Sequence, residues 1–468
     1  MEGSRSRARE GATPAITGQK IIPAHEEAKI WTTRGSHTYR STSFSLFLVG
    51  FVTFSLLYCV QPILPELTRS FHVGVTGSSL ALSLTTGCLA VSIFCWGAAA
   101  ESLGRKGIMF FSMMSAAILN ILAALMPSWP LFLAARALEG VVLGGVPALA
   151  MAYLSEEIQP QDLGYAMGLY VGGTAFGGMF GRVAVGILTG LATLPTALAL
   201  LGCVDLLAAA AFGIFLPSSR NFIRKDSFDI RYHASAWITH VSHVRLALLF
   251  GMGSLAMGVF VTLFNYIDFR LSTPPFSLSP PEISFIFLSY VCGMIASPVA
   301  GSVADKIGRG PVMIAGIAMT ALDMGLTSSA LLPAIIFGIV VFTTGFFTIH
   351  SVASGWVGRL ALENKGHASS LYLLCYYLGS SVFGLLGGLF WTRGGWPSVI
   401  LYAAGLLAVA GLFSLFLTRY EKTSCSAGRR HADRPPGPSG PRSMRMPSRR
   451  THGRRRGAIP LAGFRAAP

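Results

Sequence analysis

Twelve apolar runs of membrane-spanning length constrain this chain more than any other feature of its sequence. The hydrocarbon layer of a bilayer is about 30 Å thick, so a helix needs about 20 apolar residues to cross it. Only 12% of the residues are charged, against about 25% in soluble domains. The sequence therefore predicts an all-α membrane protein, with spans near 44–64, 78–99, 108–126, 130–152, 164–188, 195–216, 245–266, 283–301, 311–330, 333–354, 368–390 and 396–418.

Lysine and arginine are concentrated in alternate loops, which predicts how the chain is oriented. Loops after even-numbered spans hold 11 of these residues, and loops after odd-numbered spans hold 3. Cationic residues remain on the cytoplasmic side of a membrane. We therefore expect a multi-pass protein with both termini in the cytoplasm.

The formal charge of +16 lies mainly at the two ends of the chain. Residues 419–468 carry +11 and residues 1–40 carry +3. The C-terminal end is rich in Pro, Gly, Ser and Arg and has too few large apolar residues to form a core. We expect disordered cytoplasmic tails at 1–42 and 419–468, the second lying against anionic lipid. Nucleic acid is not an expected partner, since the tail has no platform of aromatic residues for base stacking.

Several function classes find no support in the sequence. Six of the seven cysteines fall inside spans without paired spacing, so neither a disulfide nor a metal site is expected. There is no phosphate-binding G-x-x-x-x-G-K-[ST] motif, and no cofactor is expected. The spans hold no convergent catalytic set, which argues against an enzyme. A sensor would need a folded output domain, and only the tail is available for one.

The chain repeats itself at a separation of about 204 residues. "WGAAAESLGRKG" at 96–107 and "AGSVADKIGRGP" at 300–311 align at that offset, and Gly164 and Gly177 recur 202 residues later. These offsets predict two six-helix halves, 43–216 and 245–418, joined by a polar linker at 217–244. Transporters are commonly built from such repeats and bind substrate near the midplane between them.

Twelve spans in two related halves, with G-x-x-x-[DE]-[RK]-x-G-[RK] after the second span of each, resemble the major facilitator superfamily over residues 44–418. The resemblance implies a gate latch, whose charges stabilise the outward-facing state and separate when the protein opens inward. The alternative is a topology anchor. Glu at 101 and Ser at 102 depart from the usual motif. The motif residues are Gly97, Glu101, Gly104, Arg105 and Lys106, and Gly301, Asp305, Lys306, Gly308 and Arg309.

Ionisable residues inside membrane spans are functional candidates by default, because burying them in lipid is costly. Arg136 and Glu139 share one helix face and can pair. "RALEG" at 136–140 resembles the family's R-x-x-x-G motif, which implies a proton-responsive pair; the alternative is a structural ion pair. Asp205 and Asp323 are further proton candidates, with local hydrogen bonding as their alternative role.

Glycines of the fifth span follow the spacing of the family's exporter-associated motif, G-x8-G-x3-G-P-x2-G-G. The resemblance favours export, whereas ordinary small-residue packing is the alternative. Two positions depart from the motif, since a Gly stands for Pro and an Arg for the last Gly. The residues concerned are Gly164, Gly173, Gly177, Gly178, Gly181 and Arg182.

The first and seventh spans line the central pathway in the family, and here both carry amides. Tyr58 and Gln61 lie in "LLYCVQPILPEL" at 56–67, and Asn265, 204 residues after Gln61, lies in "TLFNYIDF" at 262–269. Both stretches resemble a subgroup of bacterial inner-membrane drug and sugar (arabinose-type) efflux proteins. Amides facing each other would suit a polar, uncharged or weakly charged substrate. Tyr266, His350, Tyr376 and Tyr377 are further cavity candidates or core residues.

Together these features predict a proton-coupled antiporter of the inner membrane that exports small molecules, such as drugs, sugars or metabolites, by alternating access. The alternative is a proton-coupled symporter that imports a small polar solute. The expected partners are the small-molecule substrate, protons and the lipid bilayer. We expect a monomer.

Overall fold

The computed structural model describes residues 30–222, 230–361 and 363–432, without the side chains of 97–103, 148, 230, 233 and 422–432. The chain divides into a compact unit of residues 1–419 and a second unit of residues 420–468. The described residues are helical except for turns and one isolated bridge between Thr32 and Ile158. The predicted all-α fold is confirmed. The predicted tails fall largely on residues 1–29 and 433–468, which lie outside the described residues.

Six segments of membrane-spanning length form the first half. Span 4 is broken near its middle, and span 1 continues through a short 3₁₀ turn. The segments are span 1, His37–Tyr58, Gln61–Ile63 and Leu64–Phe71; span 2, Val75–Leu103; span 3, Arg105–Ala124; span 4, Trp129–Leu143 and Pro147–Glu157; span 5, Leu163–Leu191; and span 6, Leu194–Phe215.

The second half repeats this plan after a linker helix, Ile230–Ser242. Its segments are span 7, Val244–Leu271; span 8, Pro280–Ser284, Phe285–Ser289 and Tyr290–Ile307; span 9, Arg309–Leu326; span 10, Leu332–Leu360; and spans 11 and 12, both within Lys365–Ala432. Non-helical backbone at Gly394 and Gly395 separates the last two.

Within the described residues, nine helices are long and apolar enough to cross a membrane. That number leaves out the broken span 4 and the 18-residue span 9, and it counts spans 11 and 12 as one helix. The twelve predicted spans are therefore all present.

The ends of the helices differ from the predicted ends where capping, and not hydropathy, sets the boundary. Span 1 begins at His37 because the Ser36 hydroxyl accepts a hydrogen bond from the backbone of Tyr39 at 3.1 Å. Span 7 continues to Leu271, past the predicted end at 266, and so carries Asp268 into the membrane. The linker, predicted only as polar, contains a helix.

The repeated motif makes the same turn in both halves. Gly104 has φ 84° and ψ 154°, and Gly308 has φ 96° and ψ 155°. This region of backbone conformation is essentially restricted to glycine. Gly97 and Gly301, by contrast, lie inside helices. We call the end of the bundle that holds these two turns the inner end, following the predicted orientation, and the opposite end the outer end.

The linker helix contacts both halves near the inner end. The Trp237 ring lies 4.4 Å from the ring of Phe94 in span 2 and 6.0 Å from that of His367 in span 11. Its neighbour His240 lies 3.3 Å from the carbonyl oxygen of Asn364. The connection between the halves is therefore packed against both of them.

Span 5 packs on span 1 through three glycines, Gly173, Gly177 and Gly181. A Cβ atom at these positions would lie 2.2–2.5 Å from carbonyl oxygens of span 1, those of Phe47, Phe51 and Ser55. Small residues four apart on one helix let the facing backbone approach closely. Gly164 faces open space instead, so the close packing is confined to the middle and outer parts of span 5.

Two adjacent glycines of span 5 provide a matched test of this packing. Gly173→Ala should lower the melting temperature, because overpacking a close contact costs about 1–3 kcal/mol. Gly172→Ala should leave it unchanged or raise it slightly, since nothing lies within 4 Å of a Cβ there and alanine favours a helix. Thermal unfolding of the two detergent-purified variants measures the difference. Equal melting temperatures would contradict the packing described.

Candidate functional site

The two halves are in contact at the outer end. Gly186 and Gly190 of span 5 lie against Ser284 and Pro281 of span 8 so closely that a Cβ on either glycine would fall 2.3 Å from the facing side chain. Span 11 approaches Thr76 of span 2 in the same way. The structure is therefore closed at its outer end.

A chain of hydrogen bonds joins the halves beneath this closed end. Gln61 Nε2 donates to Asn265 Oδ1 at 2.7 Å, and Arg182 Nε donates to Gln61 Oε1 at 2.7 Å. All three side chains are at most 1% exposed. The two amides predicted to face each other do so, and they are in direct contact.

Arg182 lies in a cage of aromatic rings contributed by both halves. Its guanidinium carbon is 4.4 Å from the ring centre of Tyr58 in span 1, and 5.2 and 4.9 Å from those of Phe287 and Tyr290 in span 8. Nη1 donates to the carbonyl oxygen of Gly178. Contacts of a cation with ring faces are attractive, and more so when water is excluded. We call these three rings the aromatic cage.

Buried polar atoms without partners lie on the span 7 side of the hydrogen-bond chain. Asn265 Nδ2 and both carboxylate oxygens of Asp268 make no hydrogen bond to any described residue. Most buried polar atoms in proteins are paired, so each exception needs an explanation. We refer to Tyr58, Gln61, Arg182, Asn265 and Asp268 as the central layer.

Sequence reasoning missed Asp268 as a site residue. It lies two residues beyond the predicted end of span 7, and its carboxylate is fully buried. Its spacing could have identified it, because Asp268 follows Asn265 by three residues and so shares its helix face. Phe287 and Tyr290 were missed as well, since apolar and aromatic residues in a span give no indication of which neighbour they face.

A second buried cluster lies in the first half. Arg136 Nη1 donates to Glu139 Oε2 at 2.6 Å, and both side chains are fully buried. The same guanidinium donates to the carbonyl oxygens of Leu56 and Leu57 in span 1 at 3.3 and 3.1 Å. The pair predicted from helical spacing therefore forms, and it is fixed to the span that carries Tyr58 and Gln61.

Asp205 joins this cluster from span 6. Ser55 donates to Asp205 Oδ2 at 3.0 Å, while Oδ1, like Glu139 Oε1, has no partner among the described residues. Ser55 directly precedes Leu56, whose carbonyl oxygen accepts from Arg136. Two carboxylates thus share the vicinity of one arginine, and one bound proton would balance the charge.

The remaining cavity and proton candidates lie in the second half. Asp323 faces the outer part of span 10, where a Cβ at Gly338 would fall 2.8 Å from its Oδ1. Tyr266 donates to the carbonyl oxygen of Gly384 at 2.8 Å, which ties span 7 to span 11. His350 lies 3.0 Å from Tyr372 Oη, with its ring 4.8 Å from that of Tyr376; Tyr376 contacts Tyr377.

The charges of the repeated motif bind within their own halves. Arg105 donates to both carboxylate oxygens of Glu156 at the end of span 4, and Lys106 donates to the carbonyl oxygen of Leu216. In the second copy, Asp305 accepts from Arg309 and Arg359 at 3.4 and 2.7 Å. The side chain of Glu101 lies outside the described residues, so the gate-latching role predicted for it stays a prediction. The described charges of the motif therefore tie each half internally.

The sequence model of the Major Facilitator Superfamily matches residues 46–274 and 246–462 of this chain. The chain is 43% identical over 389 residues to the uncharacterized MFS-type transporter YybF of Bacillus subtilis (strain 168), covering 83% of this chain and 96% of the relative. It is 40% identical over 420 residues to the inner membrane transport protein YnfM of Escherichia coli (strain K12), covering 89% and 99%.

Solved structures show the same fold at low sequence identity. The nucleoside transporter NupG superposes with a TM-score of 0.66 at 15% identity, covering 80% of this chain and 99% of that chain. At this identity the likeness shows a shared arrangement of helices and carries no argument about what this chain binds.

The hydrogen-bond chain between the halves predicts a change in accessibility when it is cut. Gln61→Leu removes two buried hydrogen bonds of the outer-closed state, each worth about 0.5–1.5 kcal/mol. The outer-open population should therefore rise by about fivefold or more. The measurement is the rate at which a membrane-impermeant thiol reagent modifies Ser284→Cys in a cysteine-free background.

Asn120→Leu is the matched control, because Asn120 Nδ2 donates to the carbonyl oxygen of Leu198 within the first half alone. It should leave the labelling rate unchanged. Equal rates in the Gln61 variant and its parent would show that the amide chain does not hold the outer end closed.

Proposed function

The chain belongs to the Major Facilitator Superfamily of membrane transporters, and from that premise we propose that it is a proton-coupled antiporter exporting small molecules by alternating access. It is a transporter and not an enzyme. The proposal concerns the driving ion and the direction of transport. We further propose a monomer in the inner membrane, with both termini in the cytoplasm.

The observation that carries the proton coupling is the attachment of the Arg136–Glu139 pair to span 1. Arg136 holds the carbonyl groups of Leu56 and Leu57, immediately before Tyr58. Glu139 holds Arg136 through one oxygen and keeps its other oxygen unpaired among the described residues. A proton on Glu139 would remove the charge that fixes Arg136.

Loss of that charge would act directly on the central layer. Arg136 would be free to reorient, and the backbone of span 1 would lose its support four and five residues before Gln61. Gln61 links span 5 to span 7. Proton binding in the first half thereby biases the contact between the two halves, which is the coupling that an exchange cycle requires.

The energetics are adequate for export. One proton moving inward across a potential of about 100 mV supplies about 2.3 kcal/mol before any pH gradient is added.

The proposed direction of transport rests on the glycines of span 5, whose spacing resembles the exporter-associated motif and whose close packing on span 1 would limit leakage between the helices. The motif turns at Gly104 and Gly308 would then act as latches in the state that is closed at the inner end.

Glu139→Gln tests the coupling. In everted membrane vesicles with an acid interior, adding an exported compound should dissipate the pH gradient, which a fluorescent acridine dye reports. A collection of drugs, sugars and metabolites identifies such compounds with the parent protein. The variant should lose this response by about tenfold or more, because a glutamine amide, unlike a carboxylate, cannot take up and release a proton.

Glu66→Gln is the control, since this partly buried acid lies at the outer end of span 1 and bonds to its own helix neighbours Arg69 and Ser70. It should keep the full response. A Glu139 variant that inserts in normal amount and retains the parent response would remove this residue from the mechanism. Compounds that leave the vesicles with protons, instead of exchanging for them, would establish the symport alternative.

A further inference from the structure

The central layer holds two opposite charges that do not pair with each other. Arg182 comes from span 5 of the first half and Asp268 from span 7 of the second, and both are at most 1% exposed. Arg182 donates to Gln61 and Gly178, whereas neither Asp268 oxygen has a partner among the described residues. Asn265, which precedes Asp268 by three residues on the same face of span 7, is joined to Arg182 through Gln61. Buried ions are costly unless each is matched, so something else is expected to match them.

The donors near these charges are also incompletely used. The hydrogen bonds of Arg182 use Nε and Nη1 and leave Nη2 available, and Asn265 Nδ2 has no partner among the described residues. The acceptor oxygens of Gln61 and Asn265 are already engaged. One end of the layer therefore offers free donors around a cation, and Asp268 offers free acceptors.

The aromatic cage provides apolar surface beside the same cation. Tyr58, Phe287 and Tyr290 surround the guanidinium, and Phe264 stacks on Phe287 at 5.1 Å. Such rings can bury an apolar or aromatic group of a ligand. An occupant of this place therefore combines polar ends with an apolar body.

Single charges fit this layer poorly. An anion would satisfy Arg182 and leave Asp268 facing a like charge, and a cation would do the reverse. A neutral polar molecule, the substrate expected from the amide pair alone, would leave both ions without counter-charges. A molecule with one carboxylate and one ammonium group matches both, and arginine binds carboxylates through two parallel hydrogen bonds.

We propose that the central layer binds a small zwitterion, an α-amino acid with an apolar or aromatic side chain. Its carboxylate lies on Arg182, its ammonium group lies on Asp268, and its side chain lies among the rings of the aromatic cage. This inference rests on the proposed transport function, because it names the class of molecule that is carried.

Four probes with the same ring test the charge requirement on the parent protein. They are phenylalanine, 3-phenylpropionate without the ammonium group, phenethylamine without the carboxylate, and phenylalanine amide. Equilibrium binding to the purified protein is measured by calorimetry without any proton gradient. Phenylalanine should bind about tenfold or more tightly than each of the others, since hydrogen bonds to charged groups contribute at least that factor.

Two variants then assign each charge to its residue. Arg182→Gln should weaken phenylalanine and 3-phenylpropionate about tenfold and should not weaken phenethylamine, because it removes a like charge from that probe. Asp268→Asn should weaken phenylalanine and phenethylamine and should not weaken 3-phenylpropionate, for the same reason. Arg182→Lys should restore part of the affinity, because it keeps the charge without the fork. Arg270→Gln is the control: Arg270 also lies over rings, those of Phe276 and Trp396, but outside the central layer.

The probe series overturns the proposal if any single-charge probe matches phenylalanine, or if none of the four binds at about 10 mM. The parent comparison needs no variant, so a variant that fails to fold does not remove the test. The transport proposal can fail independently of the binding proposal. If phenylalanine binds but no gradient-driven exchange occurs, proton coupling is contradicted and the binding site is not.

Discussion

The close approach of span 5 to span 1 is the constraint from which the central layer follows. Gly173, Gly177 and Gly181 leave room only for the backbone of span 1. Arg182 comes directly after this stripe, and the short distance between the helices places its guanidinium over Tyr58 and within reach of Gln61. A larger residue in the stripe would move Arg182 away from both. Packing at small residues therefore positions the Arg182 guanidinium. Its hydrogen bond to Gln61 connects it to Asn265 of the second half.

Span 1 connects the two buried clusters through a stretch of seven residues. Ser55 binds Asp205, the carbonyl groups of Leu56 and Leu57 accept from Arg136, and Tyr58 and Gln61 contact Arg182. The stretch ends where the helix gives way to the turn Gln61–Ile63. A chain of contacts is not by itself evidence of coupling. It does place contacts of both clusters on one helix, whose position each of them can bias.

The sequence predicted the scaffold of the site better than its charges. Repeat spacing placed the turns at Gly104 and Gly308 and set Gln61 opposite Asn265, because both depend on backbone geometry that the repeats share. Helical spacing was enough for Arg136 and Glu139, which lie on one helix. Asp268 and the aromatic cage depend on where a helix ends and which way rings face across the interface. Those features arise from packing between distant segments, and a single sequence does not specify them.

The two halves share a backbone plan but not their charges, and this difference assigns separate tasks to them. At the repeat offset of 204, Arg136 and Glu139 correspond to Val340 and Thr343. Among the described residues, Thr343 hydrogen-bonds only to neutral partners, Ser289 at 3.0 Å and the carbonyl oxygen of Ile339 at 2.7 Å. Arg182 corresponds at 202 to Gly384, and Asp268 at 204 to Leu64. The buried Arg136–Glu139 pair therefore has no counterpart in the second half, whereas the central layer takes its cation from one half and its carboxylate from the other. Separating the halves must move these two charges apart, so a ligand that bridges them stabilises the closed arrangement, which is the differential binding that drives a conformational exchange.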